Sequence, residues 1–280
     1  MSDLVRPCCL LLALLTFLAT AGEAASSPAL PPISAPEAIV VDGWTGGVLY
    51  QKSPDVMREP ASTVKIMTAL VVLRRRIPLN RLVTVSPLAA SYGGSTAALS
   101  AGETMTVRNL LYGALLPSGN DAAVALAQAA APNLGIFVSL MNVQARRLHL
   151  AHTHFLTPNG FDTWGQVSTA RDLAVLARAA MSWRVFAQIV STKFWTARSV
   201  DGRLHYWTNR NQLLWGNSAV NGVKTGTTAG AGACLVSSAQ KSGKWIIEVN
   251  LGSSGFARFS DGAALLRYGF AVDSAPPSTR

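Results

Sequence analysis

The sequence predicts an α/β (α+β) fold: a mainly antiparallel sheet with helices on both faces, plus a helical subdomain. Three observations carry this. An apolar strand pair at residues 38–42 and 47–50 opens the ordered region, apolar helical stretches fill the middle, and hairpin patterns crowd the last third before a closing helix. Strands gathered at both ends of a helical block suit helices packed on one antiparallel sheet.

The chain opens with Arg6, an apolar run over 8–21 and the small-residue segment 22–25. That run is shorter than the ~20 residues a spanning helix needs, so residues 1–24 read as a cleaved signal peptide and the protein as secreted or periplasmic. Residues 25–36, rich in Pro and Ser, read as a flexible lead-in. One domain is expected over 37–271 and a flexible tail over 272–280, with no further domain and no C-terminal membrane anchor. Within the domain, residues 43–46 join the first strand pair as a hairpin. Pro60 precedes a helix expected over 62–73. Further helices are expected over 120–131, 136–148 and 170–181, the last capped at Ser168-Thr169. Asp201-Gly202 joins strands at 193–200 and 204–208, and Lys241-Ser242-Gly243 joins strands at 233–239 and 245–251. Residues 260–270 close as a helix.

Composition narrows the function. Hydrophobic residues make up 49% and charged residues 14%, which excludes a disordered chain. The net charge is +10, and residues 1–24 hold one Arg and two acids, so the remainder carries +11. A basic exported protein suits anionic envelope polymer. Nucleic acid is not expected, because Lys and Arg are scattered apart from Arg74-Arg75-Arg76 and Arg146-Arg147 at predicted helix ends. Two of three cysteines fall in the leader, so only Cys234 remains and no internal disulfide can form. Its apolar surroundings make it a small buried strand residue. His149, His152 and His154 have no Cys or carboxylate cluster beside them, so no metal site is expected. No cofactor is implied.

Three short motifs carry chemistry. Ser62 and Lys65 stand three apart at a predicted helix start, which puts an amine on the same face as a hydroxyl. A serine attacks only when a base takes its proton, and a lysine is a base only when burial or a neighbouring cation lowers its pKa. Ser118-Gly119-Asn120 sits at a loop-to-helix junction, where a hydroxyl and an amide can face a cleft. Lys224-Thr225-Gly226 lies on an extended segment whose glycine lets a substrate backbone approach and whose lysine offers charge to a carboxylate. Each motif alone is ordinary cap, turn or strand-edge chemistry. Together and in this order they match the S-x-x-K, S-D-N and K-T-G signature of serine β-lactamases and penicillin-binding proteins, with S-G-N in the middle.

The surrounding residues sharpen the match. Arg58-Glu59-Pro60-Ala61-Ser62-Thr63-Val64-Lys65-Ile66-Met67-Thr68, Ser118-Gly119-Asn120-Asp121-Ala122-Ala123, Asn209-Arg210-Asn211 with Leu213-Leu214-Trp215, and residues 224–232 resemble the serine D-alanyl-D-alanine carboxypeptidases. These are the low-molecular-weight penicillin-binding proteins, peptidase family S11, here in a short form without the C-terminal β-domain. The resemblance implies a β-lactamase/DD-peptidase-like fold, a peptidoglycan stem peptide ending in D-Ala-D-Ala as substrate, and β-lactams as covalent inhibitors. It implies that Ser62 is acylated with Lys65 as its base, and that Ser118 and Asn120 relay protons and hold substrate backbone. Lys224 would support the proton network. Thr225, Gly226, Thr227 and Arg258 would bind substrate, Thr225 and Arg258 at its terminal carboxylate. The amides of Ser62 and Thr227 would form the oxyanion hole.

Competing readings are weaker. A class A β-lactamase needs a glutamate after the second motif, and none lies between Asn120 and Lys224. Stable acylation by penicillin is therefore expected. No Gly-x-Ser-x-Gly elbow frames Ser62, against a Ser-His-Asp hydrolase. A peptidoglycan-binding or β-lactam-sensing domain would tolerate loss of Lys65 or Lys224, and both are present. An endopeptidase splitting D-Ala–diaminopimelate cross-links remains a second enzymatic reading.

Overall fold

The computed structural model describes residues 28–272. β1 (Glu37–Asp42) turns back into β2 (Val48–Lys52), and a 3-10 turn at Ala61–Val64 leads into α1 (Lys65–Arg74). A helical block follows: β3 (Leu82–Thr84), α2 (Pro87–Ala90), β4 (Thr104–Thr106), α3 (Val107–Leu115), α4 (Asn120–Ala130) and α5 (Leu134–Arg147). α6 (Ala170–Met181) and α7 (Arg184–Ser191) precede a hairpin of β5 (Phe194–Arg198) and β6 (Leu204–Thr208), then the single turn α8 (Leu213–Gly216). β7 (Val220–Thr228), β8 (Gly232–Lys241), β9 (Lys244–Ser253) and α9 (Ala257–Val272) complete the described chain.

The main sheet has the order β2-β1-β9-β8-β7, with every neighbouring pair antiparallel. Its central strands are buried along most of their length because both faces are covered, the polar Ser237, Ser238, Glu248 and Asn250 included. Ile39, Val41, Ile247 and Val249 join the large core that includes α1 and α6, while Ala38, Val40 and Ile246 pack on Leu265 and Leu266 of α9. Nine of the ten residues of α1 are buried, which makes it the central core helix. The expected start of α6 is borne out, since the Thr169 hydroxyl accepts the Asp172 N–H at 3.1 Å.

Three expectations are corrected and several elements are added. The stretch 62–73 is not one helix: Ser62 sits on the 3-10 turn and the α-helix begins at Lys65. Ala61 has φ +48° and the Pro60 carbonyl accepts both the N–H and the hydroxyl of Thr63, so the chain is tightened here before the helix can start. The 194–208 hairpin forms, but as a separate two-stranded sheet. His205 and Trp207 point inward while Leu204, Tyr206 and Thr208 point out, the strand period of two. The lead-in is not free along its length, because Ser34 and Ala35 donate to the Asp261 carboxylate and Lys52 Nζ donates to Ala35 O. Finally, β3, β4, α3 and α7 were not expected from the sequence pattern. The predicted leader, 1–24, lies outside the described residues, as does the tail beyond Val272.

Arg74, Arg75, Arg76, Arg146 and Arg147 are exposed at helix ends as expected. Cys234 is fully buried opposite Gly226, and burial pushes its thiol up to about 11. His149, His152 and His154 are exposed, and among the described residues no group of three or more His, Cys, Asp or Glu is placed to hold a metal ion. No single described helix is long and apolar enough to cross a membrane.

Candidate active site

The fold brings the three motifs together. Lys65, the first residue of α1, is fully buried. Its Nζ lies 2.9 Å from Ser62 Oγ, 2.8 Å from Asn120 Oδ1 and 2.6 Å from the backbone oxygen of Asn159. Burial, reinforced by the Arg210 charge and opposed by Asp121, lowers its pKa from 10.5 to about 7. A neutral amine has two N–H donors and one lone pair. The two carbonyl-type oxygens can only accept, so they take the two N–H bonds. The lone pair is then left to the one partner able to donate, the Ser62 hydroxyl. That is the arrangement of a base about to take a proton from a nucleophile.

The second motif stands at the start of α4. Asn120 accepts from Lys65 and donates Nδ2 to Gly93 O at 2.8 Å, so its amide fixes the base and the loop beside it. Asp121 is buried behind it and accepts the N–H groups of Ala97 and Leu99, which ties that loop to α4. Ser118 has φ +68°, a conformation that costs a non-glycine residue ~1–2 kcal/mol and needs surrounding structure to hold it. Its hydroxyl is buried without a hydrogen-bond partner. The proton relay expected through Ser118 is thus not closed in this structure. The residue does line the same cleft as Ser62, a space of about 50 Å³ shared with Ser95, Arg210, Thr225, Thr227 and Arg258.

The third motif lies on β7, the edge strand of the main sheet. Lys224 is buried and donates to Thr225 O at 2.9 Å. Burial first, then the charges of Lys65, Arg210 and Arg258, hold its amine well below the usual lysine range. Gly226 is required by close approach: a Cβ there would sit 2.9 Å from Ala61 Cβ and 3.1 Å from Ser62 N. Arg258, in the first turn of α9, donates from Nη1 to Gly226 O at 2.8 Å and to Thr227 Oγ1 at 2.5 Å. Its guanidinium therefore lies against the strand and at the cleft.

Three features escaped the sequence reading. The Asn159 carbonyl is the third partner of Lys65, and Thr68 Oγ1 steadies its loop by donating to Pro158 O at 2.6 Å. Pro158-Asn159-Gly160 reads as a turn, and no side-chain pattern announces a backbone acceptor. Gly160, with φ +89°, packs against the backbone of Ala61 and Ser62. In the sequence Arg210 stands out only as part of Asn209-Arg210-Asn211. In the fold it lines the cleft, donates to Ser95 Oγ at 3.0 Å, and depresses both lysines.

A buried amine facing a serine, flanked by S-G-N and an edge-strand K-T-G, defines a serine hydrolase of the β-lactamase/DD-peptidase fold. Residues 23–255 match the Peptidase S11 family model, described as D-alanyl-D-alanine carboxypeptidase. The chain is 38% identical over 276 residues to the D-alanyl-D-alanine carboxypeptidase of Streptomyces sp. strain K15, covering 91% of this chain and 95% of that one. It is also 38% identical over 271 residues to the D-alanyl-D-alanine carboxypeptidase DacC of Escherichia coli, covering 92% of this chain and 66% of the relative. The crystal structure of the Streptomyces K15 DD-transpeptidase superposes with a TM-score of 0.83 at 39% identity, over 87% of this chain and all of that one. The chain belongs to the D-alanyl-D-alanine carboxypeptidase family, peptidase S11, and is a serine DD-peptidase.

Proposed function

We propose that the protein removes the terminal D-alanine from peptidoglycan stem peptides through an ester on Ser62. Lys65 takes the Ser62 proton as Oγ attacks the penultimate D-alanyl carbonyl. The amides of Ser62 and Thr227 receive the oxyanion. The C–N bond then breaks and the departing D-alanine amine takes a proton, with the unpartnered Ser118 hydroxyl beside the nucleophile as the route. Water hydrolyses the ester and Ser62 is restored. Thr225 and Arg258 hold the terminal carboxylate, Gly226 and Thr227 line the strand along which the substrate backbone lies, and Lys224, its amine pushed towards the neutral form by burial, supports the proton network. Penicillin acylates the same serine and leaves slowly, for want of a glutamate to activate water. The catalytic unit spans 37–271 and works outside the cytoplasm, delivered by the leader at 1–24.

The observation that carries this reading is the 2.9 Å contact between the buried Lys65 Nζ and Ser62 Oγ, with two acceptor oxygens on the other sides of the amine. The test incubates the protein with a diacylated tripeptide ending in D-Ala-D-Ala and follows D-alanine by mass. Release that disappears in Ser62→Ala supports the reading. No release, or release that survives the substitution, removes it. Rapid steady-state nitrocefin hydrolysis would return the protein to the β-lactamase reading.

A further inference from the structure

A second cavity lies away from the chemistry. It holds about 610 Å³, within the ~300–1,000 Å³ of a small-ligand site, and shares no lining residue with the cleft at Ser62. Its wall reaches β7 at Asn221, ~17 Å along the strand from Gly226, which packs on Ser62. Trp44, in the β1–β2 turn, forms one side. Trp44 is 58% exposed, yet its ring is held. Its Nε1 donates to Gly243 O at 3.0 Å, and the ring packs edge-to-face with Trp245 at a centroid separation of 5.1 Å. Arg178 donates to the Gly43 and Trp44 carbonyls, and Gly43 lies so close to the Trp245 ring that a Cβ would meet it at 2.1 Å. An exposed indole fixed in this way is a preformed flat face.

The rest of the wall decides what suits that face. Arg178 is the single charged residue of the lining, and its Nε and Nη2 already serve the turn. The lining holds no carboxylate and no lysine, so its chemistry is not that of an ionic ligand. Its polar groups are neutral: the carboxamides of Asn221 and Gln240 and the Ser182 hydroxyl. Asn221 Oδ1 is buried with no hydrogen-bond partner, which leaves in the wall an acceptor that a ligand N–H would satisfy. Leu148 and Met181 supply an apolar part. A pyranose ring has an apolar C–H face and a rim of hydroxyl groups, and an N-acetyl group adds one N–H, one carbonyl and one methyl. Trp44 matches the face, the carboxamides match the rim and the acetamido group, and Leu148 and Met181 match the methyl.

We propose that this cavity binds an N-acetylated pyranose unit of a glycan strand, so that the protein holds the wall polymer at a second place remote from Ser62. The source of that sugar rests on the reading of the protein as a peptidoglycan peptidase, because the stem peptides of that polymer hang from N-acetylated amino sugars. No bond is made or broken here. The effect is on local concentration: a polymer held at this cavity presents its neighbouring stem peptides to Ser62 as an intramolecular encounter.

The test titrates the protein by calorimetry with a tetramer of N-acetylglucosamine and with the glucose tetramer of the same linkage. Neither probe carries a stem peptide, so neither occupies Ser62. Fluorescent penicillin labelling of Ser62 reports that each variant is folded and competent. The native protein is expected to bind the N-acetylated tetramer at least about tenfold more tightly than the glucose tetramer. Trp44→Ala is expected to weaken that binding by at least about tenfold and Gln240→Ala by a smaller factor, with kcat/KM on the diacylated tripeptide unchanged in both. A protein that releases D-alanine and binds neither tetramer overturns the inference and spares the function proposed above. Equal affinity for the two tetramers, or an affinity unmoved in both labelled variants, also overturns it. Selective tetramer binding by a protein that releases no D-alanine keeps the sugar site and removes the peptidase reading.

Discussion

Lys65 Nζ lies 2.9 Å from Ser62 Oγ while two acceptor oxygens, from Asn120 and Asn159, occupy its remaining hydrogen-bond directions. The three contacts together decide which way the lone pair points, and the pKa of about 7 decides when there is one. Acylation therefore needs the neutral amine. The rate of penicillin acylation at Ser62 is expected to fall tenfold per unit as pH drops below about 7. Lys65→Arg keeps the charge and loses the base, since a guanidinium does not deprotonate in this range. That variant is expected to acylate ~10²–10⁴-fold more slowly, with the acidic limb gone. Stopped-flow measurement from pH 5 to 9 checks both, and an unchanged limb in the variant would assign it to another group.

Arg258 gives a second prediction. Its Nη1 bridges Gly226 O and Thr227 Oγ1, so the guanidinium is held at the cleft before substrate arrives. A hydrogen bond to a charged partner contributes ~1.5–3 kcal/mol. Arg258→Gln is then expected to lower kcat/KM for a peptide with a free terminal carboxylate by about 10–100-fold. The same peptide with its C-terminus amidated should lose much less. Equal losses on the two substrates would mean that Arg258 only braces β7.

The first and third motifs were legible because their chemistry is written in side chains at short spacings, and Ser62 and Lys65 meet as their three-residue spacing implied. The central strands and α1, α4 and α6 were legible because long apolar runs leave few alternatives. What the sequence hid is of two kinds. Backbone atoms, such as the Asn159 carbonyl, act through position and carry no residue signature. Segments such as β3 and β4 are three residues each, too short for any period to register. Arg210 belongs to a third case: its residue type was visible, but its reach into the cleft depends on how the β5–β6 hairpin docks.

Gly160 links the hidden loop to the nucleophile. A Cβ there would lie 2.0 Å from Ala61 O and 3.0 Å from Ser62 N, on a backbone already at φ +89°. Both contacts are to backbone, so nothing flexible can move aside. Gly160→Ala is expected to destabilise the protein by more than ~1 kcal/mol. Because the displaced atoms flank Ser62, penicillin labelling should slow even well below the melting temperature. A variant that melts early yet labels at the native rate would confine the role of Gly160 to folding.

Glu248 sits at the centre of the molecule, fully buried on β9 opposite Ser237, and is remote in role from the chemistry at Ser62. Asn250 Nδ2 donates to one carboxyl oxygen at 2.9 Å, the other oxygen has no partner, and Gly262 of α9 closes over it. Burial, with the Asp261 charge adding to it, raises its pKa from 4.5 to about 8. The folded protein thus keeps a proton that the unfolded chain has released between those two values. The contribution of Glu248 to stability is full below about 4.5, falls as pH rises through the window at up to ~1.4 kcal/mol per unit, and levels off above about 8. Glu248→Gln supplies a neutral side chain of the same shape, with an oxygen for Asn250 and no proton to lose. The buried lysines, with their lowered pKa values, add stability in both proteins as pH rises, so the comparison isolates Glu248: the variant is expected to gain steadily on the native protein from pH 5 to 8 and to exceed it at pH 8. Urea midpoints at unit pH intervals measure the two slopes. If the native protein and the variant change in stability in parallel across the window, the burial of an uncharged Glu248 is wrong and the pH dependence belongs to other groups.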